Sequence, residues 1–103
     1  MSWRVQFAPE ALDQLRKLEK RIVDAGAPIA AERYVDSIVD FCMKLETFAA
    51  RGVARDDLLP GLRITHFRKR AIVAYILERE LVSVVGVFYG GQDYEAALAQ
   101  DDE

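Results

Sequence analysis

The chain has 103 residues, 51% hydrophobic and 30% charged, a balance that excludes a disordered polymer and suits one globular domain spanning 1–103. A net charge of −3 argues against a non-specific nucleic-acid binder, which needs a basic surplus to neutralise phosphates. The longest apolar run, around Ala71 to Leu77, falls far short of the roughly 20 residues of a membrane helix.

Ser2 to Phe7 alternates Trp3, Val5 and Phe7 against Arg4 and Gln6, the period of a strand with one buried face. Pro9 fits the first turn of a helix, where a missing N–H costs nothing. Ala11, Leu12, Leu15, Leu18 and Ile22 then recur at helical spacing, and Gly26 stands where a left-handed cap would end the helix. A second helix is expected from Pro28 to about Ala50, with a stripe of Ala31, Tyr34, Val35, Ile38, Phe41, Cys42, Leu45 and Phe48. The connection is short, so the helices should form an antiparallel hairpin.

Residues 53–61 read as a loop ending in the Pro60-Gly61 turn signal. Three strands follow, Leu62 to Phe67, Ala71 to Leu77 and Leu81 to Tyr89; the last two have the continuous apolar character of central strands. Arg68-Lys69-Arg70 and Glu78-Arg79-Glu80 make short charged hairpin turns. Gly90-Gly91 ends the last strand, Asp93 to Ala99 could form a helical turn or two, and the acidic tail 99–103 is expected to fray. The fold class is therefore α+β, ordered β-α-α-β-β-β-(α), with the hairpin packed on a small, mainly antiparallel sheet.

Chemistry-bearing motifs are sparse. No phosphate-binding glycine loop, metal-spaced Cys/His cluster or nucleophile elbow is present. His66 and Cys42 are the lone members of their types; Cys42 lies on an apolar stripe and reads as a small hydrophobe. One cysteine makes no internal disulfide, and Met1 to Val5 has no apolar signal core, so a reducing cytoplasm is expected. The pairs Asp56-Asp57 and Asp101-Asp102 read as solvated neighbours.

Charge is unevenly spread. Residues 51–70 hold six bases (Arg51, Arg55, Arg63, Arg68, Lys69, Arg70) against Asp56 and Asp57, whereas 92–103 hold five acids and no base. The basic cluster is either a solvated hairpin tip that discourages edge pairing or a surface for an anionic partner. Tyr89-Gly90-Gly91-Gln92-Asp93-Tyr94 is either a strand-to-helix turn capped by Asp93 or a contact segment.

Ala8-Pro9-Glu10-Ala11, Pro60-Gly61-Leu62-Arg63, Ile72-Val73-Ala74-Tyr75 and Gly90-Gly91-Gln92-Asp93-Tyr94-Glu95-Ala96-Ala97-Leu98 occur in an order that resembles the ParE-type toxins of the ParE/RelE superfamily. The resemblance covers roughly residues 2–98; Tyr89 and Gln92 stand where family members commonly carry His and Arg. It implies the toxin of a type II toxin–antitoxin pair, a growth inhibitor that binds DNA gyrase and traps cleaved complexes, with no catalytic residue, cofactor or metal. The implied target-contact residues are Tyr89, Gln92, Asp93, Tyr94, Arg68, Lys69 and Arg70, with Tyr94 and Leu98 also structural. A ParD-type antitoxin is the implied partner, meeting Arg16, Lys20, Arg33, Arg63, Arg68 and Arg70, with no membrane and no sequence-specific nucleic acid involved. The alternatives are a RelE-like, ribosome-dependent messenger-RNA endonuclease, which the acidic net charge disfavours, and an inactive interaction module of the same fold.

Overall fold

In the computed structural model, which describes residues 3–98, β1 (Arg4–Phe7) leads through Ala8 into α1 (Pro9–Asp24). Pro9 opens the helix as expected, and Ala11, Leu15 and Leu18 form its buried edge. The edge is narrower than the spacing suggests, because Leu12 is 41% exposed. Gly26 takes φ 94° and the chain reverses into α2 (Pro28–Met43).

The second helix is shorter than its stripe implies. After Met43 the backbone tightens into a 3-10 turn, Lys44–Glu46, which keeps Leu45 fully buried but turns Phe48 outward. Phe48 is 59% exposed, so its place on the buried stripe is corrected. The cause is visible at the turn: the Trp3 N–H donates to the Glu46 carbonyl at 2.9 Å, drawing the chain towards β1 before another helical turn can form.

Beyond this turn come β2 (Val53–Ala54), β3 (Leu62–Phe67), β4 (Ala71–Glu78), β5 (Leu81–Tyr89) and the short α3 (Tyr94–Leu98). The five strands form one sheet ordered β1-β5-β4-β3-β2. Only β1 runs parallel to its neighbour, β5; the other pairings are antiparallel. The segment 53–61 is thus not wholly loop, since Val53 and Ala54 pair with Ile64 and Arg63. The acidic tail 99–103 and Ala99 lie outside the described residues.

Strand parity explains why the last two strands lack alternation. On β4, Ala71, Val73 and Tyr75 join the core beneath the helical hairpin, while Ile72, Ala74 and Ile76 face a second cluster. On β5 the assignment switches: Val82 and Val84 lie under the hairpin, but so does Val87. A bulge makes the switch, because Ala74 pairs with Gly86 while Tyr75 pairs with Val84. A Cβ on Gly86 would stand 2.6 Å from the Phe88 ring, so the bulge needs a residue without one. Gln14 of α1 accepts the Val87 N–H at 2.6 Å, satisfying the backbone beside it.

The main core gathers Ile38, Cys42, Leu45, Val73, Val82 and Val84, all fully buried, and each large aliphatic contributes about 1.5–3 kcal/mol. The second cluster, Leu62, Ile64, Ala74 and Phe88, is covered by Leu58, Leu59, Tyr94 and Leu98. Helical hairpin and α3 therefore occupy opposite faces of the sheet.

Candidate functional site

Where β5 ends, Tyr89 stands edge-on to Tyr34 of α2, with ring centroids 5.6 Å apart at 75°. Tyr34 also meets the Phe67 ring at 5.9 Å. The Arg21 guanidinium lies 5.8 Å from the centre of the Tyr89 ring, and Arg68 lies 4.8 Å from that of Phe67. These side chains border an open groove of about 730 Å³, lined by Ile22, Ile29, Ala30, Arg33, Tyr34, Ser37, Arg68 and Tyr89. Its surface is mainly apolar, and Ile29 is 68% exposed beside it. Burial raises the pKa of Tyr34, the nearby Tyr89 adds to the rise, and Arg68 and Arg70 oppose it. The Tyr34 hydroxyl is shielded from solvent yet has no hydrogen-bond partner among the described residues. A smaller depression of about 180 Å³ lies on the other side of Tyr89, between Gln14, Lys17, Arg21 and Gln92.

The chain then turns through Gly90 and Gly91, both at positive φ (67° and 88°), a conformation that side chains on these residues would strain. Gln92 accepts the Tyr89 N–H through Oε1 at 2.7 Å, and Asp93 caps α3 by accepting the Ala96 N–H at 3.0 Å. Both sequence departures therefore have local roles: Tyr89 forms the groove wall and Gln92 holds the turn.

Opposite α3, Arg55 is the hub of a polar cluster. Its Nε and Nη2 donate to both carboxylate oxygens of Asp57 at 2.9 and 2.8 Å. Its Nη1 donates to Glu95 Oε2 at 2.8 Å and to the Tyr94 hydroxyl at 3.0 Å. The bidentate contact lowers the Asp57 pKa, and hydrogen bonding by Asp57 and then Glu95 raises that of Arg55. The Tyr94 ring rests against Phe88, centroids 6.2 Å apart, and Leu98 joins the same cluster.

The remaining residues singled out in the sequence divide by position. Arg33 and Arg68 meet at the groove, and Lys69 and Arg70 are exposed in the adjoining hairpin turn, where Arg68 itself takes φ 56°. Arg16 and Lys20 are exposed on α1 away from the groove lining, and Lys20 pairs with Asp24 at 3.0 Å. Arg63 is turned to internal work: Nη2 donates to the Gly52 carbonyl at 2.7 Å and to that of Ala50 at 3.0 Å. Cys42 lies in the main core, its thiol pushed up to about 12 by burial, whereas His66 is exposed on the strand register of Leu62 and Ile64. The sheet separates them. Asp56 accepts the Gly61 N–H at 2.7 Å and Asp57 serves Arg55, so this acid pair is structural; Asp101-Asp102 lies outside the described residues. Among the described residues no three or more His, Cys, Asp or Glu side chains gather as metal ligands. The roles of Arg55 and Arg21 carry no distinct sequence motif, and Tyr34, which the helical stripe assigns to the core, also forms the groove wall. The opposite charges of 51–70 and 92–98 were the available signal for Arg55 and Glu95, without naming the pair.

An open groove edged with arginines and a capped helix on the opposite sheet face are the distinctive surfaces of this small α+β protein. Residues 5–94 match the family model described as the ParE toxin of the type II toxin–antitoxin system parDE, and the chain belongs to this family. It is thus a ParE-type toxin of a type II toxin–antitoxin system. Its fold is similar to that of the chromosomal ParDE toxin–antitoxin system from P. aeruginosa, with a TM-score of 0.74, 17% identity and coverage of 85% of this chain and 96% of that one. The toxin–antitoxin complex RelBE2 from Mycobacterium tuberculosis is also similar, with a TM-score of 0.62 at 21% identity, covering 87% of this chain and 100% of that one. No curated protein matches the chain significantly in sequence.

Proposed function

We propose that this toxin arrests growth by binding DNA gyrase and trapping its cleaved-DNA complex, without catalysis of its own, and that a ParD-type antitoxin neutralises it in the cytoplasm. The observation that carries the reading is the meeting of two surfaces at Tyr89: the groove on the hairpin side and the Gly90–Leu98 segment on the other face of the sheet. An acidic amphipathic antitoxin segment suits the groove, with apolar side chains on Ile22, Ile29 and Tyr34, carboxylates at Arg33 and Arg68, and one more at Arg70 in the adjoining turn. Gyrase is met by Gln92, Asp93 and Tyr94 together with the hairpin turn Arg68-Lys69-Arg70. Both partners then crowd Tyr89 and Arg68, so antitoxin binding blocks the target by occlusion. Arg63 lends itself less to this contact than Arg33 and Arg68, since its Nη2 already donates to the Gly52 and Ala50 carbonyls.

The test is a supercoiling assay with purified gyrase, with and without the antitoxin. Loss of supercoiling with accumulation of cleaved DNA, reversed by antitoxin, is the expected result. Unaffected gyrase would overturn it and favour ribosome-dependent RNA cleavage, which primer extension on translated messages would reveal, or an inactive module. Charge reversal at Arg33 and Arg68 should weaken antitoxin binding about tenfold or more, and unchanged affinity would remove the groove from the account.

A further inference from the structure

Five residues are far too few for a helix to persist alone, and no residue of α3 is fully buried. Its position must come from what it touches. Tyr94 and Leu98 supply partial apolar cover over Leu62, Ile64 and Phe88. Among the described residues a polar anchor from outside the segment is Arg55, which reaches α3 at both Glu95 and the Tyr94 hydroxyl.

Arg55 is unusually well prepared for that task. Its backbone N–H donates to the Leu62 carbonyl at 2.8 Å, and its own carbonyl accepts from Leu58 at 3.0 Å and from Leu59 at 3.3 Å. Asp56 closes the same turn on Gly61. The bidentate contact with Asp57 fixes the plane of the guanidinium, so Nη1 points at α3 from a rigid base. Only 22% of the Arg55 side chain is exposed, whereas Asp57 and Glu95 keep 64% and 55%. The cation is sheltered and its partners are wet, an arrangement that salt can loosen.

We propose that Arg55 is the positioning residue of the C-terminal segment: it clasps α3 to the second face of the sheet, and the target-contact surface exists in its binding geometry only while the clasp is closed. The inference rests on the reading that this segment contacts the target. Asp57 acts through Arg55, orienting it without touching α3. The clasp is electrostatic, so the population with α3 docked falls as ionic strength rises, while the main core is indifferent.

Hydrogen exchange of residues 93–98 in the full chain, read beside gyrase inhibition, tests this for Arg55→Ala, Glu95→Gln and the exchange Arg55→Glu with Glu95→Arg. Arg55→Ala should speed α3 exchange about three- to tenfold, weaken inhibition by a similar factor and leave exchange of β4 and β5 unchanged. Glu95→Gln, a surface change that leaves the 55–61 turn intact, should do the same to a smaller degree. The charge exchange should recover part of both readings, because Arg at position 95 can meet Glu at position 55 while the brace from Asp57 is lost. Salt at about 0.5 M should reproduce the Arg55→Ala exchange pattern in the unmodified chain. Unchanged α3 exchange in Arg55→Ala and Glu95→Gln overturns the clasp. Freed α3 with undiminished inhibition overturns instead the assignment of target contact to this segment.

Discussion

Two joints hold peripheral chain to the same sheet, and they are built from opposite materials. The segment Ala49–Gly52 is tied down from beneath by Tyr75, fully buried, whose hydroxyl donates to the Ala49 carbonyl at 2.9 Å and accepts the Gly52 N–H at 3.0 Å. Helix α3 is tied by Arg55 to partners that water reaches. Losing a buried hydrogen bond leaves polar groups with no alternative partner, so the first joint is permanent. Groups in the second can turn to solvent at little cost, so it is reversible. The permanent joint serves the scaffold and the reversible one serves the surface proposed to meet the target.

The largest effect should come from the permanent joint. A Cβ at Gly52 would lie 2.8 Å from the Ile64 carbonyl oxygen and 2.9 Å from the Tyr75 hydroxyl, so Gly52→Ala should destabilise by about 2–3 kcal/mol in denaturant unfolding. Tyr75→Phe removes the hydroxyl and orphans both backbone groups, for a loss of about 1–3 kcal/mol. Wild-type stability in Tyr75→Phe would show the two joints to be alike after all.

A smaller gain is available at the β4–β5 turn, where Arg79 (φ 50°) and Glu80 (φ 66°) both adopt the left-handed conformation that a two-residue hairpin loop demands. Replacing them with Asn-Gly should stabilise the chain by about 1 kcal/mol without touching α3 exchange. A simultaneous change in α3 would mean that this turn and the Arg55 joint are coupled.

The subtlest effect is in pH. The folded-state pKa of Asp57 is depressed below its ordinary 3.8, so its contribution is present above that value and disappears as pH falls through the folded one. The stability that Asp57 adds through Arg55 should therefore be constant from about pH 8 to pH 5 in denaturant unfolding and fall only below about pH 4, a loss that Asp57→Asn removes. Onset near neutrality would implicate a group other than this carboxylate.

The contrast also explains what was legible in the sequence. Alternation marks β1 and β3, helical spacing marks α1, and continuous apolar runs mark β4 and β5, because burial acts on each residue locally; Pro9 and Pro28 mark both helix starts. The end of α2 was not legible, since it is set by a hydrogen bond from Trp3, some forty residues away in sequence. Nor was the β5 bulge, because Val84, Val85 and Val87 are equally apolar on either face. The candidate site divides in the same way. Asp93 as a cap and Tyr94 with Leu98 as anchors follow from local pattern, whereas assigning Arg55 to α3 and Arg63 to backbone required the fold to choose between two arginines of one basic cluster.

The most direct test of the account is gyrase supercoiling in the presence of the intact chain and of a chain ending at Gly91, each first shown by thermal unfolding to retain its core. The intact toxin is expected to abolish supercoiling and accumulate cleaved DNA, and the shortened chain to fold but do neither. A folded, shortened chain that still traps gyrase would contradict it.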